Sequence, residues 1–187
     1  MREGPSAPAG SFLRWRGAIA SGAMSPLRIR RFEPADEQAV IDLIVPIQRE
    51  EFGVAITADD QPDLRDVAGF YLAGAGTFLV AEIDGRIVGT IALKDIGSRQ
   101  GALRKMFVAA SWRGREHGVA AALLRRLLDD ARAAGVEEIM LGTTEEFRAA
   151  HRFYEKNGFA PVARTDLPPS FPFMALDTRF YRIMLTG

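Results

Sequence analysis

Two β-rich runs, Thr77–Ile83 and Arg86–Leu93, are separated only by Asp84-Gly85. A two-residue connection of this type places both central residues at positive φ and is the strongest short-range signal for an antiparallel hairpin. That feature constrains the fold more than any other, because parallel neighbours need a crossover of a dozen or more residues. A third run, Ala102–Val108, follows a short polar loop, so an antiparallel meander is expected. Gly89 inside the second strand predicts a bulge or a close backbone approach.

The flanking segments extend this core in both directions. Leu27–Phe32 reads as a strand, and Pro34-Ala35-Asp36 opens a helix with Val40, Ile41, Leu43, Ile44 and Ile47 on its apolar side. Pro46 should kink or shorten that helix. A second helix carries Leu64, Val67, Ala68 and Tyr71 at helical spacing and ends at Gly74-Ala75-Gly76. After the meander, a Gly-containing basic turn feeds a long helix with Leu123, Leu124, Leu127, Leu128 and Ala131 as its stripe, closed by Gly135. Val136–Gly142 is a strand. Thr143-x-x-Glu146 fits a capping box for a helix stopped by Gly158. Phe159–Arg164 and Thr178–Leu185 are the last strands, bridged by the Pro-rich loop Asp166–Phe173.

The order β-α-α-β-β-β-α-β-α-β-β predicts an α/β (α+β) domain. Its mixed sheet is mainly antiparallel, has one parallel pair across the right-handed strand–helix–strand unit, and is flanked by about four helices. With 187 residues and 48% hydrophobic content, one domain over 26–187 is expected. Residues 1–25 are rich in Gly, Ala, Ser and Pro and read as a disordered tail or as sequence upstream of a start at Met24.

Composition removes several function classes. Lys+Arg and Asp+Glu are both 24, so there is no global basic footprint for nucleic acid. No apolar run reaches the length of a membrane span. There is no cysteine, which excludes thiol catalysis, disulfides and Cys-based zinc sites, and the only two histidines, His117 and His151, argue against a His-rich metal site. The lack of cysteine fits a cytoplasmic setting.

The stretch Val108–Ala120 carries the chemistry. It leaves a strand, turns through Arg113, Gly114, Arg115, Glu116, His117 and Gly118, and opens a helix at Val119 and Ala120. Helix N-termini offer unpaired N–H groups and the positive dipole end to an anion, and glycines let the backbone approach it. The segment is neither a Walker A loop nor G-x-G-x-x-G. From these residues alone, a pyrophosphate cradle and a plain strand–helix connection with solvated arginines are equally good readings.

Two motifs in register resolve that choice. Arg115-x-x-Gly118-x-Ala120 matches R/Q-x-x-G-x-G/A, and Ala150-His-Arg-Phe-Tyr-Glu-Lys-Asn-Gly-Phe159 matches A-x-x-hydrophobic-Y-E-K-x-G-F. With them, the stretch Leu27–Leu185 resembles the GNAT superfamily of N-acetyltransferases. The resemblance implies acetyl-CoA as co-substrate, no metal, and direct attack of an amine on the thioester. It implies a V-shaped opening between Ala102–Val108 and Val136–Gly142, with pyrophosphate on the amides of Arg115 to Ala120. The pantetheine arm would pair with Met106, Phe107 and Val108, where a backbone N–H would polarise the thioester carbonyl. Tyr154 would protonate the leaving thiolate, although its place beside Phe147, Ala150 and Phe153 also fits simple packing.

The sequence departs from the family at three places. Arg113-Gly114 is followed by extra residues before Gly118; Phe147 stands where Asn is frequent; and Gly101 and Ala102 stand where a Glu base is frequent. Glu50, Glu51 and Asp95 are the candidate bases, with Glu51 chosen. The acidic segment Glu50–Asp66 reads either as a pocket for a cationic amine or as a solvated face. Phe171 and Phe173 are candidates for an acceptor wall. A small-molecule or peptide amine acceptor and a homodimer are expected. A CoA-binding regulatory module without catalysis is the alternative.

Overall fold

The computed structural model describes residues 25–185. The expected tail therefore lies, but for its last residue, outside the described residues. Seven strands form one sheet in the order β1-β2-β3-β4-β5-β7-β6. They are β1 (Arg28–Arg31), β2 (Thr77–Ile83), β3 (Arg86–Asp95), β4 (Gln100–Val108), β5 (Glu138–Thr143), β6 (Ala160–Val162) and β7 (Arg179–Met184). The helices are α1 (Glu37–Pro46), α2 (Pro62–Arg65), α3 (Val67–Tyr71), α4 (Val119–Ala133) and α5 (Arg148–Lys156). All neighbours are antiparallel except β4 and β5.

The hairpin turns at Asp84 (φ 49°) and Gly85 (φ 72°), as its two-residue connection requires. Both readings of Gly89 hold. The β2–β3 register slips between Ala81 and Glu82, and a Cβ at Gly89 would lie 3.0 Å from Leu123 Cδ1 and 3.1 Å from Val119 Cγ1. The missing side chain is what lets α4 lie close against β3.

One sheet face packs on α4 and α5, through Leu79, Ile91, Leu103, Leu123, Leu127 and Ile139. The other face is covered in two parts. α1 to α3 cover Phe78, Val80 and Ala92, and the chain between β6 and β7 covers Ala102, Met140 and Phe180 through Leu167 and Phe171.

Three expectations need correction. The second helix is two short ones, because Asp66 leaves helical geometry (φ −136°, ψ 64°) and its side chain accepts from the Gly69 amide to cap α3. The capping box at Thr143 does not form: Thr143 is still in β5, paired with Arg179, and α5 starts behind Phe147, which supplies no side-chain cap. The strand predicted for Phe159–Arg164 is only Ala160–Val162, ended by a 3-10 turn at Arg164–Asp166. Pro46 ends α1 and passes the chain into a widened turn, Ile47–Glu51.

Candidate active site

The parallel pairing of β4 with β5 covers only Gln100–Glu138, Gly101–Ile139 and Ala102–Met140. Both strands run on, to Val108 and Thr143, without pairing to each other. A bulge in β4 drives the separation. Its register against β3 shifts between Thr90 and Ala92, and Lys105 takes φ 51°. The buried Thr90 hydroxyl donates to the Lys105 carbonyl at 2.7 Å and fixes the bulge. Met106, Phe107 and Val108 therefore lie on the length of β4 that has left β5, while Phe107 and Val108 stay paired with β3, at the wall of a wedge.

At the mouth of the wedge, the turn from β4 to α4 has Gly114 at φ 104° and Gly118 at φ 64°. Gly118 is the N-cap of α4 in left-handed geometry, and a Cβ there would meet nothing within 4 Å. Gly118 N–H donates to the Gly114 carbonyl and Ala122 N–H to the Gly118 carbonyl. Among the described residues, the amides of Arg115, Glu116 and His117 have no protein acceptor. Those of Val119, Ala120 and Ala121 have none within the helix. This row of free N–H groups fits an anion. Arg115 is exposed and pairs with no carboxylate among the described residues. Glu116 folds its carboxylate over Gly114, and His117 stacks edge-on against Trp112 at 5.2 Å. Val119 is wholly buried, so it contributes only its amide.

Tyr154 projects from α5 into the core between Phe153, Phe159 and Tyr181. Its hydroxyl donates to Met106 Sδ at 3.5 Å, a weak acceptor, and has no other partner among the described residues. The phenol thus sits against the length of β4 that has left β5. Burial pushes its pKa up from the ordinary value, so it stays protonated well into alkaline pH.

Two residues assigned to separate tasks meet each other instead. Arg113 Nη1 and Nη2 donate to Glu51 Oε2 and Oε1 at 2.6 and 3.0 Å, while Nε donates to the Val108 carbonyl at 2.7 Å. Next to this pair, Phe52 stacks on Phe147 at 4.1 Å and lies 6.4 Å from Phe107. Segment 47–52 is thereby pinned across the ends of β4 and β5. Asp95 accepts from the Ala75 and Gly97 amides, which hold its carboxyl below the usual range; it ties loops together.

Most acids in Glu50–Asp66 are engaged locally. Asp60 binds Thr57, Asp66 caps α3, and Asp63 accepts from Tyr71 at 2.5 Å and lies 3.1 Å from the buried Lys105 ammonium. Lys105 also donates to Gln61 Oε1 at 2.8 Å. Burial pulls the Lys105 pKa down and Asp63 opposes it; burial and the Asp63 charge push the Tyr71 phenol up. Phe171 and Phe173 pack against Phe180 rather than standing free.

Sequence reasoning missed two residues on this side of the sheet. Arg104 reaches under the β6–β7 connection, donating to the Pro172 carbonyl at 3.4 Å and to Met174 Sδ at 2.9 Å. Asp177 lies over Gly142 of β5, where a Cβ would come within 2.4 Å of its carboxylate. Burial pushes the Asp177 pKa up. No sequence signal marked either: one sits in a strand, the other in a loop.

The pattern of the acetyltransferase (GNAT) family matches residues 41–159. The chain belongs to that family. An acetyltransferase of the GNAT family from Staphylococcus aureus Mu50 superposes with a TM-score of 0.81 at 35% identity, over 86% of this chain and 99% of that one. N-acetylaspartate synthetase of Danio rerio is 34% identical over 128 residues, which are 65% of this chain and 44% of the relative. This GNAT chain thus spans less than half the length of that curated relative. N-acetylglutamate synthase from Neisseria gonorrhoeae, complexed with coenzyme A and N-acetyl-glutamate, shares the fold with a TM-score of 0.67 at 18% identity, over 86% of this chain and 35% of that one. Among the described residues, no helix is long and apolar enough to cross a membrane, and no three His, Asp or Glu side chains group as metal ligands.

Proposed function

We propose that the protein is an acyl-CoA-dependent N-acyltransferase that takes acetyl-CoA as donor and a small-molecule amine as acceptor. The observation that carries the reading is the wedge between β4 and β5, with free amides at its mouth and the Tyr154 hydroxyl against its wall. The free amides of Arg115, Glu116, His117, Val119 and Ala120, with the Arg115 guanidinium, hold the pyrophosphate. The β5-facing edge of β4 at Met106 to Val108 pairs with the pantetheine arm, and an N–H there stabilises charge developing on the thioester oxygen. The acceptor nitrogen bonds to the thioester carbon, the carbon–sulfur bond breaks, and the Tyr154 hydroxyl gives its proton to the departing sulfur; the proton that the nitrogen loses passes to solvent water, from which the phenolate is reprotonated. The buried phenol carries the proton that the task requires at neutral pH.

Glu51 serves in this scheme as a tether for Arg113 rather than as the base, because both its oxygens are engaged by the guanidinium. A CoA-binding module without catalysis draws support from the same pair, since it removes the chosen base from action. Thiol release from acetyl-CoA with and without amines separates the readings. Amine-dependent release is expected, and Tyr154→Phe should lower kcat by about a hundredfold or more with unchanged affinity for acetyl-CoA. Release indifferent to amine, or full rate in the variant, contradicts the assignment. The cytoplasmic setting and the homodimer belong to the same reading, supported respectively by the absence of cysteine and by the family resemblance.

A further inference from the structure

Most of the acids expected to draw a cationic amine are engaged elsewhere, Glu50 excepted, while Arg104 on the same sheet face pairs with no carboxylate among the described residues. Arg104 lies between the two coverings of that face. On one side are Tyr71, Asp63 and Lys105, on the other Pro172 and Met174. The bulge at Lys105 breaks the alternation of β4 and turns Arg104 and Lys105 to the same side. The Lys105 charge is matched by Asp63 at 3.1 Å. Arg104 is half-buried and has no carboxylate within ion-pair distance among the described residues. Its donations go to a long carbonyl contact and a thioether, both weak for a group with five N–H donors. Of the charged groups around it, Asp177 offers the one nearby carboxylate not already paired, and that carboxylate accepts from the Met174 amide. Arg164 lies over the Phe173 ring at 4.1 Å and adds a further positive charge beside Asp177. A half-buried guanidinium with unfilled donors is a site for a planar anion.

We propose that Arg104 binds a carboxylate of the acceptor, so that the substrate is a small amino acid or another amine bearing a carboxylate. The inference rests on the acyltransfer reading and narrows it, since it excludes polyamines and other wholly cationic acceptors. Arg104 touches the acceptor at a distance from its reacting nitrogen and sets specificity through KM.

The test uses the full chain, acetyl-CoA and a thiol-release assay. The panel holds L-aspartate, L-glutamate and β-alanine against ethylamine and spermidine. The carboxylate-bearing amines should exceed the carboxylate-free ones in kcat/KM by about tenfold or more. Arg104→Met should raise KM for the best carboxylate-bearing amine by about tenfold or more, leaving kcat nearly unchanged. Arg104→Lys should recover part of the loss. A matching melting temperature and acetyl-CoA affinity show that each variant is folded. Failure of every carboxylate-bearing amine to react, or an unchanged KM in folded Arg104→Met, overturns the proposal. If acetyl-CoA neither binds nor releases thiol with any amine, the acyltransfer reading itself fails, which calorimetry reports separately.

Discussion

Asp36 holds the first strand to the first helix through one guanidinium. Arg30 Nη1 and Nη2 donate to its two oxygens at 2.6 and 2.9 Å, Arg30 Nε donates to Glu82 at 2.8 Å, and the Glu33 amide donates to Asp36 at 2.8 Å. Hydrogen bonds from Arg30 outweigh burial and hold the Asp36 carboxyl below its ordinary value of 3.8. A depressed carboxyl stabilises the fold above its ordinary pKa, and that contribution is lost as pH falls through the folded value. Asp36→Asn should therefore cost about 3 kcal/mol at neutral pH, with the deficit narrowing at about pH 3. Urea unfolding at the two pH values checks this, and an equal deficit at both speaks against it. At this scale Tyr154 was legible, because its motif fixed its place in the register. Arg104 was not. Simple alternation in a strand cannot show which residue a bulge will turn towards the β6–β7 connection, and Lys105 gives no sign in the sequence that it takes positive φ.

Local chemistry made most elements readable. Asp84-Gly85 could close only a tight hairpin, and the stripe of α4 has the apolar residues that the sheet buries. The failures came where tertiary contacts compete with local preference. Asp66 breaks a continuous apolar spacing by capping α3, and Thr143 stays in β5 because Arg179 of β7 pairs with it. Segment 47–52 is the element whose role changed most. The Glu51–Arg113 pair is exposed enough to add less than about 1 kcal/mol to stability. Its value lies in position, alongside the Phe52–Phe147 stack. Glu51→Gln should lower kcat by less than about tenfold, and exchange at the Phe52 and Val54 amides should accelerate while α4 stays protected. A loss of about a hundredfold or more in kcat, with exchange unchanged, would instead make Glu51 the base.

Across the whole molecule, the sheet joins an N-terminal antiparallel part, β1 to β4, to a C-terminal part, β5 to β7, through a short parallel pairing. The parallel pair was legible from the strand–helix–strand order. The placing of β7 between β5 and β6 was not, because nothing local to a strand says which edge it joins. The wedge follows from both facts: the pairing ends at Ala102–Met140 while the strands continue. Its mouth carries the free amides and Arg115, so donor binding should depend on the pyrophosphate and not on the thioester alone.

Calorimetric titration of the full chain with acetyl-CoA, beside S-acetyl-N-acetylcysteamine, a thioester lacking the pyrophosphate, tests this directly. The account predicts micromolar binding of acetyl-CoA, no measurable binding of the short thioester, and about tenfold or greater weakening of acetyl-CoA binding in Arg115→Glu. Equal affinity for both thioesters, or no binding of acetyl-CoA, would contradict it.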